Sequence, residues 1–316
     1  MSKIVLITGA TGKQGGAVVN ALLAANADFQ ILAVTRDPSS ASAQKLAKMS
    51  PKIKLVSGNL DHPEDIFRTA KRMASAPIWG VFSVQMTIGS KSEVTEEDQG
   101  KALIDASLSN NVSHFIYSSV DRGGDISATN PTEIPHFRNK HSIEQHLFKT
   151  TKSSGMTYTV LRPVAFFDNL ALDFFGKVFT TSYKIALKEK PLQLIATRDI
   201  GSFAAQAFLH PDQWAGKSLS LAGDELTFDQ FREIFEKTTE QALPMTYGVI
   251  ARVIMWMVKD LGLMFRWFYD QGYGADVKEL RKLNPTLMDF RTWLERDSPF
   301  KLSRKKMDRE FSFWFA

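Results

Sequence analysis

Ile4-Val5-Leu6-Ile7-Thr8-Gly9-Ala10-Thr11-Gly12-Lys13-Gln14-Gly15-Gly16 is an unbroken apolar run closed by regularly spaced glycines. The run has the composition of a strand buried on both faces of a parallel sheet. Glycines at positions 9, 12 and 15 allow a tight turn, let a pyrophosphate approach the backbone, and let the next helix lie close to the sheet. The free N–H groups and positive dipole end of that helix then serve the phosphates. Spaced glycines alone say little; between an apolar strand and a helix they point to a dinucleotide. Gly9, Thr11, Gly12, Lys13, Gln14 and Gly15 are the candidate contacts.

Outward from this stretch, short apolar runs alternate with helical patterns. Strands are predicted at Ile4–Thr8, Phe29–Thr35, Ile53–Ser57, Ile78–Gln85 and His114–Ser119. Helices are predicted at Gly15–Ala25, Pro63–Ala74 and Glu96–Asn110, then from about Asn139 to Ser154 before a strand at Tyr158–Leu161. The fold class is α/β, a doubly wound parallel sheet of Rossmann type with a smaller, mainly helical C-terminal lobe. Residues 1–162 are expected to form the NAD(P)-binding domain, with later segments returning to it, and 163–316 mainly a substrate or partner lobe. In that second part Asp199–Leu209 reads as a helix, Ser218–Leu221 as a strand, and Thr227–Thr239 as a helix. Thr227 and Gln230 fit a capping box there.

Composition narrows the function classes. The chain has 316 residues, a formal charge of +5 and no cysteine. That excludes a disulfide scaffold, a Cys-ligated zinc site, an iron–sulfur cluster and a thiol nucleophile, and no metal is expected. Cations are scattered, apart from Arg304-Lys305-Lys306, which argues against nucleic acid as a partner. The apolar start at Ile4–Ile7 is too short for a signal segment, so a cytoplasmic location is expected. Val249–Phe268 is apolar but carries Arg252, Lys259, Asp260 and Arg266, too many charges for a membrane span. An amphipathic helix packed on a neighbouring lobe is the preferred reading, an interfacial membrane contact the alternative.

Cofactor choice falls to the end of the second strand, where Thr35-Arg36-Asp37 stands. A guanidinium at Arg36 suits the 2′-phosphate of NADP(H), whereas Asp37 turned inward would suit NAD(H). NADP(H) is preferred. Asn59 and Asp61, closing the third strand, are candidates for the adenine side. The fifth strand delivers Ser118 and Ser119 to the ligand edge of the sheet, either to polarise a substrate carbonyl or simply as satisfied strand-end hydroxyls. Lys140, near a helix start, can hold ribose hydroxyls and move a proton. His136 lies one turn earlier and shares its face, in a catalytic or a structural role.

These motifs, in this order, resemble the NmrA-like family of the atypical short-chain dehydrogenase/reductase superfamily. The likeness covers the glycine loop, Thr35-Arg36-Asp37-Pro38, Tyr117-Ser118-Ser119-Val120, His136-Phe137-Arg138-Asn139-Lys140, and Leu161-Arg162-Pro163 followed by Phe167-Asp168-Asn169. It implies a nicotinamide cofactor, with Pro163 and Phe166 in the segment that closes over its ring. The superfamily's catalytic pattern is a tyrosine, three residues and a lysine; here His136 stands at the tyrosine position. Within the family that departure accompanies two outcomes, reductases of secondary metabolism and regulators that bind NAD or NADP and act through other proteins. The expected function is NADPH-dependent reduction of a carbonyl or activated double bond on an aromatic or polyketide-like small molecule. The alternative is a catalytically silent redox sensor with a protein partner. Phe166, Phe167, Phe174, Phe175, Trp256, Trp267 and Phe268 are read as an apolar substrate pocket or as plain core.

Overall fold

The computed structural model describes residues 2–85 and 94–300. Arg304-Lys305-Lys306 and the aromatics at Phe311, Phe313, Trp314 and Phe315 lie outside the described residues. The first part alternates as β1 (Lys3–Ile7), α1 (Lys13–Ala24), β2 (Phe29–Thr35), α2 (Ala41–Ala47), β3 (Ile53–Ser57), α3 (Pro63–Met73), β4 (Ile78–Ser83), α4 (Glu96–Ser109) and β5 (His114–Ser118). There follow α5 (Pro135–Thr151), β6 (Thr157–Pro163), β7 (Ala165–Phe166), α6 (Phe174–Leu187), β8 (Leu192–Ile195), α7 (Thr197–Leu209), α8 (Pro211–Trp214) and β9 (Lys217–Leu221). The remainder is β10 (Asp224–Leu226), α9 (Phe228–Thr239), α10 (Gly248–Met257), α11 (Lys259–Asp270), α12 (Val277–Leu283) and α13 (Phe290–Arg296).

Seven strands form one sheet in the order β3-β2-β1-β4-β5-β6-β9. Every pairing from β3 across to β6 is parallel. The order reverses between β1 and β4, and in such sheets ligands sit at the carboxyl ends of the strands beside that reversal. Ile4, Val5, Leu6 and Ile7 are all fully buried, because helices cover both faces. The local chemistry agrees with the helical termini. In α3, Pro63 stands at the start with Glu64 and Asp65 in the first turn, while Lys71 and Arg72 occupy the last turn, each complementing the helix dipole.

The chain divides into two compact units. One holds Met1–Asp121, Ile126–Pro163 and Thr197–Ser220; the other holds Arg122–Asp125, Val164–Ala196 and Leu221–Ala316. Within the second, β10, β8 and β7 make a three-stranded sheet. Its core is aromatic, with Phe231 stacked on Phe290 at 4.1 Å between ring centres. The capping box of α9 is present: the Thr227 hydroxyl accepts from the Gln230 N–H, and the Gln230 side chain accepts from the Thr227 N–H.

Three differences from the predicted elements have physical causes. α2 is seven residues long, too short to display a helical period. It begins because the Ser40 hydroxyl accepts from the Ala43 N–H. α5 begins at Pro135 rather than near Asn139, since proline is well placed in a first turn that needs no N–H. Beyond β6, strands of two to four residues carry too few positions for alternation to show.

Candidate active site

The loop between β1 and α1 is a cradle that side chains would fill. Gly9 has φ of +59°, and a Cβ on Gly15 would lie 2.4 Å from the carbonyl oxygens of both Thr8 and Gly9. Gly15 therefore packs α1 onto the strand end, and Gly9 makes the turn. The Gly12 N–H closes that turn on the Gly9 carbonyl at 2.9 Å. No side chain caps α1, and the N-terminal end of a helix suits an anion. Thr11, Gly12 and Lys13 are exposed there and Gln14 is half-buried. A dinucleotide pyrophosphate fits this loop.

Gln14 ties the loop to β5, for its Oε1 accepts from the Ser118 hydroxyl at 2.5 Å. The Ser118 carbonyl accepts from Lys140 Nζ at 3.1 Å. Lys140 is buried, and Nζ also lies 3.1 Å from Oε1 of Glu96. The other oxygen of that carboxylate, Oε2, meets Nδ1 of His136 at 3.0 Å. His136 and Lys140 stand four apart on α5, so one carboxylate at the start of α4 holds both. The Glu96 side chain is 3% exposed and that of His136 16%. The arrangement is a connected chain, Gln14–Ser118–Lys140–Glu96–His136, running from the glycine loop to a partly solvated imidazole. Lys140 thus donates a hydrogen bond to the Ser118 carbonyl and pairs by charge with Glu96.

Ser119 is directed differently. Its hydroxyl donates to Oε1 of Glu144, one turn beyond Lys140 on α5. Glu144 is fully buried and bound by Arg162 through two contacts, Nε to Oε1 at 3.2 Å and Nη2 to Oε2 at 2.8 Å. Sequence reading placed both serines at the ligand edge. The structure gives Ser118 to the nucleotide loop and Ser119 to a buried ion pair.

On the adenine side, Arg36 and Asp37 are both exposed. Asp37 is folded onto its own turn, accepting from the Ser39 hydroxyl at 2.5 Å and the Ser39 N–H at 2.8 Å. These hydrogen bonds hold its carboxyl below the usual aspartate range. Among the described residues no carboxylate pairs with Arg36. Asn59 donates to Asp61 at 2.6 Å, and Gln99 on α4 donates to the other oxygen of Asp61 at 2.6 Å. Pro163 ends β6, where its carbonyl accepts from the Asp121 N–H at 3.1 Å. Phe166 belongs to the second unit, on β7 opposite Ile195.

The expected aromatic pocket is not a single cluster in that unit. Phe167, Trp267 and Phe268 are buried, Phe166 is half-buried, and Phe174, Phe175 and Trp256 face solvent. A cavity of about 140 Å³ is lined by Phe268, Tyr269, Tyr273, Lys190 and Gln193 among others. No group of three His, Asp or Glu side chains among the described residues is placed to hold a metal.

Sequence reading missed Glu96, Glu144 and Arg162. Glu144 carried a signal, lying four residues after Lys140 on the same helix face. Glu96 stands in the first turn of α4, behind Thr95, whose side chain caps the helix. Only the packing of α4 on α5 reveals its partners. That packing is close because Gly100 leaves room for Ile143, whose Cδ1 would lie 2.4 Å from a Cβ there.

NmrA, a negative transcriptional regulator solved in complex with NAD, matches with a TM-score of 0.69 at 18% identity, over 94% of this chain and 96% of that one. The Citrobacter sp. triphenylmethane reductase complexed with NADP(H) matches with a TM-score of 0.67 at 18% identity, over 94% and 100%. At such identities these structures speak to the fold. The NmrA-like family domain-containing oxidoreductase lnbB of Aspergillus flavus is 30% identical over 258 residues, 75% of this chain and 73% of that protein. The model of the NmrA-like family matches residues 1–295, and the chain belongs to the NmrA-like family.

Proposed function

We propose that this protein is a cytoplasmic NADPH-dependent oxidoreductase that reduces a carbonyl or activated double bond of an aromatic or polyketide-like molecule without a catalytic tyrosine. The observation that carries this reading is the hydrogen-bonded chain from Gln14 through Ser118 to Lys140, which sets a buried ammonium beside the nucleotide loop. Family membership and the reductases among its relatives support it.

The bound nicotinamide supplies the hydride. The chain's own residues bind, orient and handle the proton. Gly9, Gly12 and Gly15 admit the pyrophosphate, and the N–H groups of α1 receive it. Arg36 takes the 2′-phosphate, a role left open because Asp37 is engaged with Ser39. Asn59 and Asp61 border the adenine, and Pro163 the nicotinamide. Lys140 holds the ribose hydroxyls and gives a proton to the reduced substrate. Glu96, which meets both Lys140 and His136, links the buried lysine to a partly solvated imidazole, and the proton that Lys140 gives up returns along that path. Ser118 and Ser119 position Gln14 and Glu144.

The test is calorimetric binding of NADPH and NADH, followed by NADPH oxidation with aromatic ketones and quinones. Lys140→Ala should lower kcat by about 10²–10⁴ while NADPH binding stays measurable. Arg36→Ala should weaken NADPH by about tenfold to a hundredfold and leave NADH nearly unchanged. Equal loss of both nucleotides overturns the phosphate assignment, and an unchanged rate removes Lys140 from the mechanism. A second reading, a nucleotide-responsive regulator acting through a protein partner, draws support from the likeness to NmrA. Tight NADPH binding with no turnover on any acceptor would favour it.

A further inference from the structure

One apolar surface of the second unit has no role in that reaction. On α10, Val249, Val253, Trp256 and Met257 share an outward arc, following the 249, 253, 256 spacing of one helix face. Trp256 is 83% exposed and Val249 69%. Tyr247, just before the helix, and Val258, just after it, are exposed as well. The opposite side of α10 is spoken for: Ala251 is fully buried. At Met255 the helix meets α11 closely enough that a Cβ on Gly262 would lie 2.4 Å from the Met255 carbonyl. Thr246, ahead of α10, is tied to α6 by its N–H on the Thr181 hydroxyl at 2.9 Å. The helix is thus firmly mounted with a contiguous apolar stripe outward, which single scattered surface hydrophobics do not form.

From residue 241 to 259 the charged side chains are all cations. No acidic residue occurs between Glu240 and Asp260. Arg252 lies on the edge of the exposed arc and Lys259 follows Val258, both exposed. A second copy of the chain would set these cations against each other with no acid on the helix to answer them. Anionic headgroups answer them directly, and an arginine at the edge of an apolar stripe can lay its stem along the acyl boundary with its head among phosphates. Tyr and Trp at opposite ends of the stripe suit the headgroup level. α10 has 10 residues and α11 has 12, and no described helix is long and apolar enough to cross a membrane.

We propose that the outer face of α10, from Tyr247 to Val258, is a monotopic membrane-interface surface that seats this protein on bilayers rich in anionic phospholipid. The stripe enters the headgroup and acyl boundary, and Arg252 and Lys259 select negative lipid.

The experiment is flotation of the full chain with vesicles of phosphatidylcholine alone and with about 30 mol% phosphatidylserine, at low and high salt. The wild type should float with the anionic vesicles and at least about tenfold less with neutral vesicles or at high salt. Val253→Ser with Trp256→Ser should abolish flotation without moving NADPH affinity or the thermal midpoint. Arg252→Glu should weaken it while leaving the apolar stripe intact. Failure of the wild type to float with either vesicle overturns the proposal, as does a double variant that floats like the wild type or equal binding to neutral lipid. A concentration-dependent dimer that the double variant dissolves, without flotation, also overturns it and makes the face an interface between copies. None of these readouts depends on turnover, so their failure is separate from failure of the reductase reading.

Discussion

The two ends of strand β5 treat charge in opposite ways. At its start, the His114 ring stacks on Trp79 at 6.0 Å, meets the edge of Phe208 at 6.3 Å, and touches the hydroxyls of Thr157 and Thr159. Burial, with help from the Lys3 charge, pushes its pKa down to about 4, so the imidazole stays neutral. At the far end, Ser118 and Ser119 lead into Lys140, Glu96, Glu144 and Arg162, all buried yet paired. One end excludes charge and the other concentrates it. Excluding charge makes a scaffold that needs only packing. Concentrating it demands a partner for every group, and such a network is retained where chemistry needs it.

The sharpest way to break this contrast is at Glu144. Removing its carboxylate by Glu144→Ala leaves Arg162 buried without its counter-ion, an outcome worth about 3–5 kcal/mol of stability. Replacing both partners, Glu144→Met with Arg162→Met, should recover much of that loss, because desolvating the pair is itself costly. Chemical denaturation of the three variants measures this. If the double variant is no better than Glu144→Ala, the pair does more than satisfy itself.

The neutral end yields the next effect, and its sign follows from the depressed pKa. Unfolding releases His114 to its ordinary value near 6.5, so between pH 6.5 and 4 the unfolded chain binds the extra proton. Stability from this group is complete above pH 6.5, declines as pH falls, and is down by about 3 kcal/mol below pH 4. His114→Phe should remove that slope. The Thr157 and Thr159 hydroxyls keep the carbonyls of Ser113 and Trp214 as acceptors, so an apolar ring leaves neither stranded. Urea midpoints of both proteins at pH 7 and pH 4.5 test it. Equal acid losses would place the responsible proton elsewhere.

These two ends also differ in how far they could be read from sequence. The alternation of strands and helices along the chain, the glycine loop and the shared face of His136 and Lys140 follow from periodicity and spacing, which are local properties. Glu96 and Arg162 become partners of α5 only when α4 and β6 pack beside it, forty residues from His136 and eighteen from Glu144 respectively. A single sequence marks such acids and bases only as ordinary cap or strand residues. The same limit applies to the serines. Their position at the strand end was legible, whereas the acceptors of their hydroxyl protons depend on where Gln14 and Glu144 arrive. In the second unit, Trp256 and Phe175 read as pocket or core aromatics and instead face solvent, because periodicity alone does not say which face of a helix a neighbour covers.

The smallest effect discriminates most finely at the charged end. Ser118→Ala removes one hydroxyl that donates to Gln14 but leaves the Ser118 carbonyl on Lys140. If the hydroxyl serves to hold the nucleotide loop, stability falls by about 1 kcal/mol and NADPH affinity by less than about tenfold, with kcat nearly constant. If it polarises the substrate, kcat falls by about a hundredfold or more at unchanged NADPH affinity. Calorimetric binding and steady-state turnover on the same preparation separate the two. The first result makes β5 a strand whose last side chain organises the cofactor loop. The second makes Ser118 part of the reaction, with Gln14 holding the serine until substrate arrives.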